Sequence, residues 1–451
     1  MSVWQDEGRG MEMANLQITF GGMEMRNPIG VAALNPAIAY ARTPTVQADW
    51  LMRHVEAGAG YIYISATRPQ RSSPAEADPA LKWLKIQCPG FADRESLFTT
   101  GDISATQFYL DKTLEVMSII KKKLPKDVPV IAQPHVAGAD IKEWIHLCKV
   151  FEEAGADGLE LNVACPISLV GYEAADPAVK LIEEVNTLEM RTLRKLGLTP
   201  SMGEIPEVLA PITRACVHAV KIPVGVKPSA EAGFPKCVAL AKLAADAGAK
   251  WVTNITSPIS VAPPRIYENG KTPWNIVHFP INPFAGVSGP NNRYQCYKDT
   301  VTIALFVPEI DICAVGGLVN PEHCVEVLMM GAKTVGLSSG FFWKGRKLIT
   351  DSVKFLNRFT NENGYEKIED LIGIGLPYVK PVDDTIDWKV GKIAAEVDKG
   401  KCIQCGVCSD GFCPVPIKGA DDFPVINKTN CQGCGYCVAV CPAGALSIVD
   451  V

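Results

Sequence analysis

Two runs of four cysteines near the C-terminus constrain this chain more than any other feature. The first is Cys402, Cys405, Cys408 and Cys413, followed by Pro414; the second is Cys431, Cys434, Cys437 and Cys441, followed by Pro442. The second run reads C-x2-C-x2-C-x3-C-P. In that spacing three cysteines hold one iron–sulfur cubane and the fourth reaches a neighbouring one. The rule assigns Cys402, Cys405, Cys408 and Cys441 to one cluster, and Cys431, Cys434, Cys437 and Cys413 to the other. The first run has four residues, Ser409 to Phe412, before its last cysteine, and Gly411 lets that loop bulge. Zinc sites usually use two separated cysteine pairs. Disulfide frameworks suit small secreted domains. Two adjacent cubanes store and pass single electrons, so this end of the chain points to electron transfer.

At 451 residues the chain has room for about two or three domains. A formal net charge of −5 argues against a nucleic-acid or membrane-surface protein. No basic start followed by an apolar core marks a secretory signal, and no apolar run approaches the roughly 20 residues that span a bilayer. Half of the 16 cysteines lie in the cluster runs, which suits a reducing, cytoplasmic interior. The other eight (Cys88, Cys148, Cys165, Cys216, Cys237, Cys296, Cys313 and Cys324) are by default small buried side chains.

Upstream, short apolar runs alternate with amphipathic helical stretches. The runs are 27–34, 60–67, 128–134, 158–165, 222–229, 251–257, 310–317 and 334–340. Each is bounded by Gly or Pro and rich in Val and Ile, as buried parallel strands are. Helices are expected between them, as at 142–154 and 236–247. The segments AGAG, AGADG, AGAKW and MGAKT recur before strands 2, 4, 6 and 8, in the manner of a helix-ending glycine followed by a strand. Eight such units predict an α/β fold, a TIM (β/α)8 barrel, followed by a C-terminal two-cluster ferredoxin-like domain. A doubly wound sheet is the rival, but eight evenly repeated units favour closure. The expected boundaries are a barrel over 1–345, a helical connector over 346–395 and the cluster domain over 396–451. Residues 68–110 and 258–295 are long connections after strands 2 and 6, the length and place of active-site lids.

Polar residues recur where these strands end. Strand 4 ends Asn162-Val163-Ala164-Cys165-Pro166, strand 5 with Lys227, and strand 6 with Asn254. Strand 7 ends with Gly316-Gly317, strand 8 with Ser338-Ser339-Gly340, and the sixth loop holds Ser288-Gly289. Glycines after strands 7 and 8 expose backbone N–H groups where such barrels bind phosphate. A lysine from strand 5 can sit by an electron-rich ring, and a cysteine after strand 4 can offer a proton to carbon. Singly, each is as easily a turn, a surface lysine or a packed thiol. Together, at corresponding strand ends, they form one pocket.

The motifs ELNVACP (160–166), IPVGVKP (222–228), TNITS (253–257), GVSGP (286–290) and AVGG (314–317), with the cysteine runs, resemble the dihydroorotate dehydrogenase superfamily. The likeness is greatest to the FMN and iron–sulfur part of dihydropyrimidine dehydrogenase, also found as a separate bacterial subunit, and runs from about residue 15 to 451. It implies an FMN at the barrel mouth fed by two 4Fe-4S clusters. By resemblance Cys165, the general acid, and Lys227 are catalytic, Asn162 and Asn254 contact substrate, and Lys227 and Asn254 lie at the flavin ring. Ala32, Ala33, Ser288, Gly289, Gly316, Gly317, Ser338 and Ser339 complete the cofactor set.

This sequence departs from the pyrimidine enzymes at several aligned positions. Ser65 stands where they carry a lysine, Thr99 where they carry a substrate asparagine, and Ile255 follows Asn254 where they carry threonine. The loop after Cys165 is shorter and brings Tyr172. A site built to hydrogen-bond a ring discriminates strongly when partners go missing. The expected activity is therefore reduction, or formation, of an activated C=C bond in a small substrate, with uracil or thymine as the narrower alternative. A flavin and iron–sulfur electron-transfer subunit is the rival from another class. No G-x-G-x-x-G opens a strand–helix unit. Electrons are expected from an NAD(P)H-dependent flavoprotein partner or a ferredoxin, in an oligomer, with no nucleic acid or membrane involved.

Overall fold

A computed structural model of the chain describes residues 15–33, 43–67, 88–91, 97–100, 110–136, 139–164, 201–254, 257–271, 284–380, 392–410 and 413–451. It divides into two compact units, Met1–Tyr378 and Val379–Val451.

The first unit is a closed (β/α)8 barrel. Its parallel strands are β1 (Ile29–Val31), β2 (Tyr61–Thr67), β3 (Val130–Pro134), β4 (Gly158–Asn162), β5 (Val224–Lys227), β6 (Trp251–Asn254), β7 (Asp311–Ala314) and β8 (Thr334–Leu337), with β8 closing on β1. All eight fall inside the expected apolar runs, because strands covered on both faces need near-continuous hydrophobic sequence. The helices are α1 (Pro44–Glu56), α2 (Leu110–Ile120), α3 (Ile141–Glu153), α4 (Pro206–Ala219), α5 (Gly233–Asp246), α6 (Arg293–Phe306), α7 (Pro321–Met329) and α8 (Lys347–Glu362). Thr43 and Asp140 cap α1 and α3 by accepting from Val46 N and Lys142 N. Gly155 and Gly248 follow α3 and α5 at positive φ, as the recurring AGA segments required. Among the described residues, no helix is long and apolar enough to cross a membrane.

The N-terminal end of the barrel is filled by one large side chain. Trp251 is fully buried, and the Cβ that Gly225 lacks would lie 2.0 Å from its ring. A Cβ on Gly158 would meet the same ring at 3.2 Å and Met23 Sδ at 2.8 Å. An antiparallel hairpin, Ile18–Phe20 with Met23–Met25, packs here. Phe20 lies 5.3 Å from Trp251 between ring centroids, and Gly21 N donates to Asp311 Oδ2 at 2.8 Å.

The two long connections at the other end form shared structure. Strands Cys88–Phe91 and Leu97–Thr100, after β2, join Ile259–Val261 and Phe284–Ser288, after β6, in one four-stranded antiparallel sheet. The backbone of Thr99 pairs opposite Gly286. The sheet is tied to the loop after β5 by Ile259 N, which donates to Glu231 Oε1 at 2.5 Å, and α6 is tied to the same loop by Gln295 Nε2, which donates to Ala230 O at 2.9 Å.

The second unit pairs β9 (Ile393–Val397) with β12 (Leu446–Asp450), and β10 (Pro416–Lys418) with β11 (Pro424–Ile426), around the short helix α9 (Tyr436–Val440). Helix α8 buries Leu348, Ile349, Ser352, Leu356 and Thr360, one face at helical spacing, against α7 and β1. Residues 393–395 begin β9.

Candidate functional site

Side chains alternate along a strand, so each strand end offers one residue to the barrel interior and one to the helices. Gly225 faces the Trp251 ring, so Lys227, two residues on, shares the interior face. Lys227 is 8% exposed and is the register partner of Asn162, which is 3% exposed. Asn162 Nδ2 donates to Gln133 Oε1 at 3.3 Å, and Asn162 Oδ1 accepts from Ala164 N at 3.3 Å. The structure thus brings Asn162 and Lys227 together at the mouth. Cys165, and Tyr172 beyond it, lie outside the described residues, as does Ile255. For Ser65 and Thr99 the description stops at the backbone.

Beneath this pair lies a polar network that sequence reading missed. Glu160 on β4 is 1% exposed, and its carboxylate accepts from Tyr63 Oη at 2.6 Å, Gln133 Nε2 at 2.8 Å, Trp251 Nε1 at 3.2 Å and the Thr253 hydroxyl. The Tyr63 phenol is pushed well above its usual range, by burial first and then by the charge of Glu160. Cys313 is pushed up to about 11 by burial and then by Glu160. A signal was available: Gln133, Glu160 and Thr253 are polar positions inside otherwise apolar strand runs, and Glu160 shares its face with Asn162.

Asn254 goes elsewhere. It shares parity with Val252, on the face opposite Trp251 and Thr253, and its Nδ2 donates to Cys296 O at 3.2 Å and Thr300 Oγ1 at 2.8 Å on α6. Its amide nitrogen is held against that helix, while its Oδ1 is buried with no hydrogen-bond partner among the described residues.

The remaining cofactor candidates converge on the arc from the sixth loop through β7 and β8 to β1. Gly317 has φ +69°, and a Cβ there would lie 2.4 Å from Arg293 N and 2.9 Å from Gly289 O. Gly316 and Gly289 also take positive φ. Ser288 Oγ contacts Ser257 Oγ at 2.6 Å. A Cβ on Gly340 would meet Leu318 O at 3.0 Å, which brings Ser338-Ser339-Gly340 against the loop after β7. A Cβ on Gly336 would meet Ala32 Cβ at 3.0 Å, and Ala32 N donates to Leu337 O at 2.9 Å, so Ala32, with Ala33 after it, borders the same arc. This cradle is walled by Gly, Ala and Ser backbone beside the start of α6. The glycines let these turns pack backbone to backbone, and backbone N–H groups at turns and a helix start are the kind of donor that a terminal phosphate takes.

In the second unit the two cysteine runs interleave. Cys408 is pushed up by burial and then by the neighbouring thiols of Cys402, Cys405 and Cys441. Cys437 is pushed up by burial and then by Cys431, Cys434 and Cys413. These are the two quartets expected from the spacing. Cys402, Cys405, Cys408 and Cys441 line one cavity with Val397, Pro424 and Leu446. Ala395 N donates to Cys431 Sγ at 3.3 Å and Ala445 N to Cys441 Sγ at 3.2 Å, the backbone support that cluster sulfurs use. Among the described residues, no three His, Cys, Asp or Glu converge tightly enough for a single metal ion. A cubane instead holds its four cysteines apart around its own body.

Comparison with known proteins agrees with both units. The dihydroorotate dehydrogenase family profile matches residues 107–359, and a 4Fe-4S dicluster domain profile matches residues 394–442. The chain belongs to the dihydroorotate dehydrogenase family, a family of oxidoreductases whose membership implies FMN, and it carries a C-terminal 4Fe-4S ferredoxin-like domain. It is 23% identical over 367 residues to the NAD-dependent dihydropyrimidine dehydrogenase subunit PreA of Escherichia coli (strain K12), covering 76% of each chain. It is 30% identical over 263 residues to the catalytic subunit of dihydroorotate dehydrogenase B (NAD(+)) of Methanopyrus kandleri, covering 58% of this chain and 70% of that one. To a putative dihydroorotate dehydrogenase A (fumarate) of Aeropyrum pernix it is 25% identical over 365 residues, covering 79% of this chain and 96% of that one.

Proposed function

We propose that the chain reduces, or forms, an activated C=C bond of a small substrate at an FMN in the barrel mouth. Electrons pass through two 4Fe-4S clusters, exchanged with a partner protein. The observation that carries this reading is the register pairing of Asn162 with Lys227 on the interior face of a barrel whose chain ends in two interleaved cysteine quartets. When bound, FMN supplies hydride transfer. The chain's own residues do the rest. The backbone around Gly317, Gly289 and Ser338–Ser339 holds the phosphate, Lys227 places positive charge at the ring, Asn162 orients substrate, and Cys165 delivers the proton. Asn254, bonded to α6, supports the end of β6. The cluster domain is assigned to 396–451 after a barrel over 1–345 and a connector over 346–395, and the setting is cytoplasmic.

The relation to subunit PreA favours dihydropyrimidines as the substrate class, and with it an NAD-linked flavoprotein partner in an oligomer. Ser65, Thr99 and Ile255 argue for a different ring or an open-chain substrate. Anaerobic mixing of the reduced protein with uracil, thymine and orotate tests both. Rapid flavin reoxidation by uracil or thymine establishes the pyrimidine reading. Reoxidation by orotate alone moves the chain to dihydroorotate chemistry. Reoxidation by none of these, but by a redox protein, would make it an electron-transfer subunit.

A further inference from the structure

The buried carboxylate under the barrel mouth has no role in the chemistry described so far. All four partners of Glu160 donate to it, and none is a cation. Four donors converging on two carboxylate oxygens are the arrangement that an ionised carboxylate takes among neutral partners. Tyr63 on β2 and Cys313 on β7 are pushed up by burial first and then by Glu160. Glu160 pairs in register with Gly225, and Asn162 pairs with Lys227. Glu160 therefore lies diagonally below Lys227, one strand across and two residues down, about 8 Å between Cα atoms from strand dimensions. Both side chains are on the interior face, away from water, where charges act over longer distances than in solvent.

We propose that Glu160 sets the reduction potential of the flavin, as a fixed negative charge opposing Lys227; this rests on the reading that FMN occupies the mouth above them. Adding two electrons and one proton to FMN leaves a reduced ring carrying one negative charge. A carboxylate beneath that ring disfavours reduction and lowers the potential, and an ammonium beside it does the reverse. Charge placed near the ring is one of the main ways a protein tunes a flavin. Glu160 acts through its field and by holding Gln133, so it is a positioning residue.

The test is an anaerobic reductive titration of the holoprotein against a reference dye, after FMN content has been measured by heat release. Glu160→Gln should raise the flavin midpoint potential by about 30 mV or more, a tenfold change in a two-electron equilibrium constant. Tyr63→Phe removes one donor and leaves the charge, so the potential should fall. Lys227→Met should also lower it. If Glu160→Gln does not fold, the direction of the Tyr63→Phe shift decides. FMN present with an unmoved potential in Glu160→Gln and Tyr63→Phe, or shifts of the opposite sign, overturns this proposal alone. A wild-type protein that carries no FMN overturns the functional reading together with it.

Discussion

Asn162 and Lys227 are register partners in the ladder between β4 and β5, so an amide and an ammonium leave adjacent strands at one height. Cys165 follows three residues after Asn162 in the sequence. With Cys165 as the proton donor, Cys165→Ala should keep flavin and clusters bound and reducible. Loss of a positioned acid costs about 10²–10⁴ in rate. Serine should do little better, because a hydroxyl is a far weaker acid than a thiol of pKa roughly 8.5. Stopped-flow reoxidation of the reduced flavin by substrate reads this directly, and an unchanged rate would move the role to another group, Tyr172 first.

The phosphate cradle makes a sharper structural claim. Gly317→Ala would force a Cβ to within 2.4 Å of Arg293 N at a φ of +69°. A left-handed conformation alone costs a non-glycine residue about 1–2 kcal/mol, and the contact adds to it. FMN affinity should drop at least about tenfold while the barrel stays folded. Full flavin occupancy in this variant, measured by heat release, would place the phosphate elsewhere.

At the opposite end of the barrel, Gly225→Ala tests the packing of Trp251. A Cβ 2.0 Å from a buried ring must displace it, and overpacking of this kind costs about 1–3 kcal/mol. The urea midpoint should fall accordingly. Combining the change with Trp251→Leu should recover part of the loss, since the smaller side chain vacates that space.

His54 gives the barrel a pH dependence. Its ring is buried between Trp50 and Phe341, and Nδ1–H donates to Trp50 O at 2.7 Å. Burial first, and Arg346 as well, lower its pKa to about 4. The unfolded chain, near 6.5, binds the proton that the folded state refuses. Stability is therefore full above pH 6.5 and lost as pH falls toward 4. The loss approaches roughly 3 kcal/mol over that window at 1.36 kcal/mol per unit. Urea midpoints across pH 7 to 4 should show this slope, and His54→Gln should flatten it.

How much was legible follows from which interactions are local. The eight strands read clearly because each carries its own signal, an apolar run between glycines. The quartets read clearly because their spacing is local to two short runs. The sheet over the mouth did not, because Leu97–Thr100 and Phe284–Ser288 pair across most of the barrel sequence and neither segment alternates strongly. Asn254 was assigned by its place at a strand end, and the bonds of its Nδ2 to α6 show only once that helix packs on β6. Glu160 went unread because a carboxylate in an apolar run shows its donors only once β2, β3 and β6 surround it.

Two cubanes predict about eight iron and eight acid-labile sulfide per chain. Cys413→Ser lies in the first run, yet it should unseat the cluster held by Cys431, Cys434 and Cys437, whose neighbour it is. Iron content should fall by at least half, and by more where loss of that cluster loosens the backbone it shares with its neighbour. Zinc in place of iron would sink the assignment.

That interleaving carries a consequence for how the protein ages. Each cysteine run gives three sulfurs to one quartet and one to the other, so neither stretch of backbone can relax without loosening both. Because ligand sites of this kind fold only as they load, a chain that loses one cluster to oxygen should soon lose its neighbour. A stored sample should drift from fully loaded to empty, with few molecules between, and an averaged iron content near four per chain would describe a mixture of two populations.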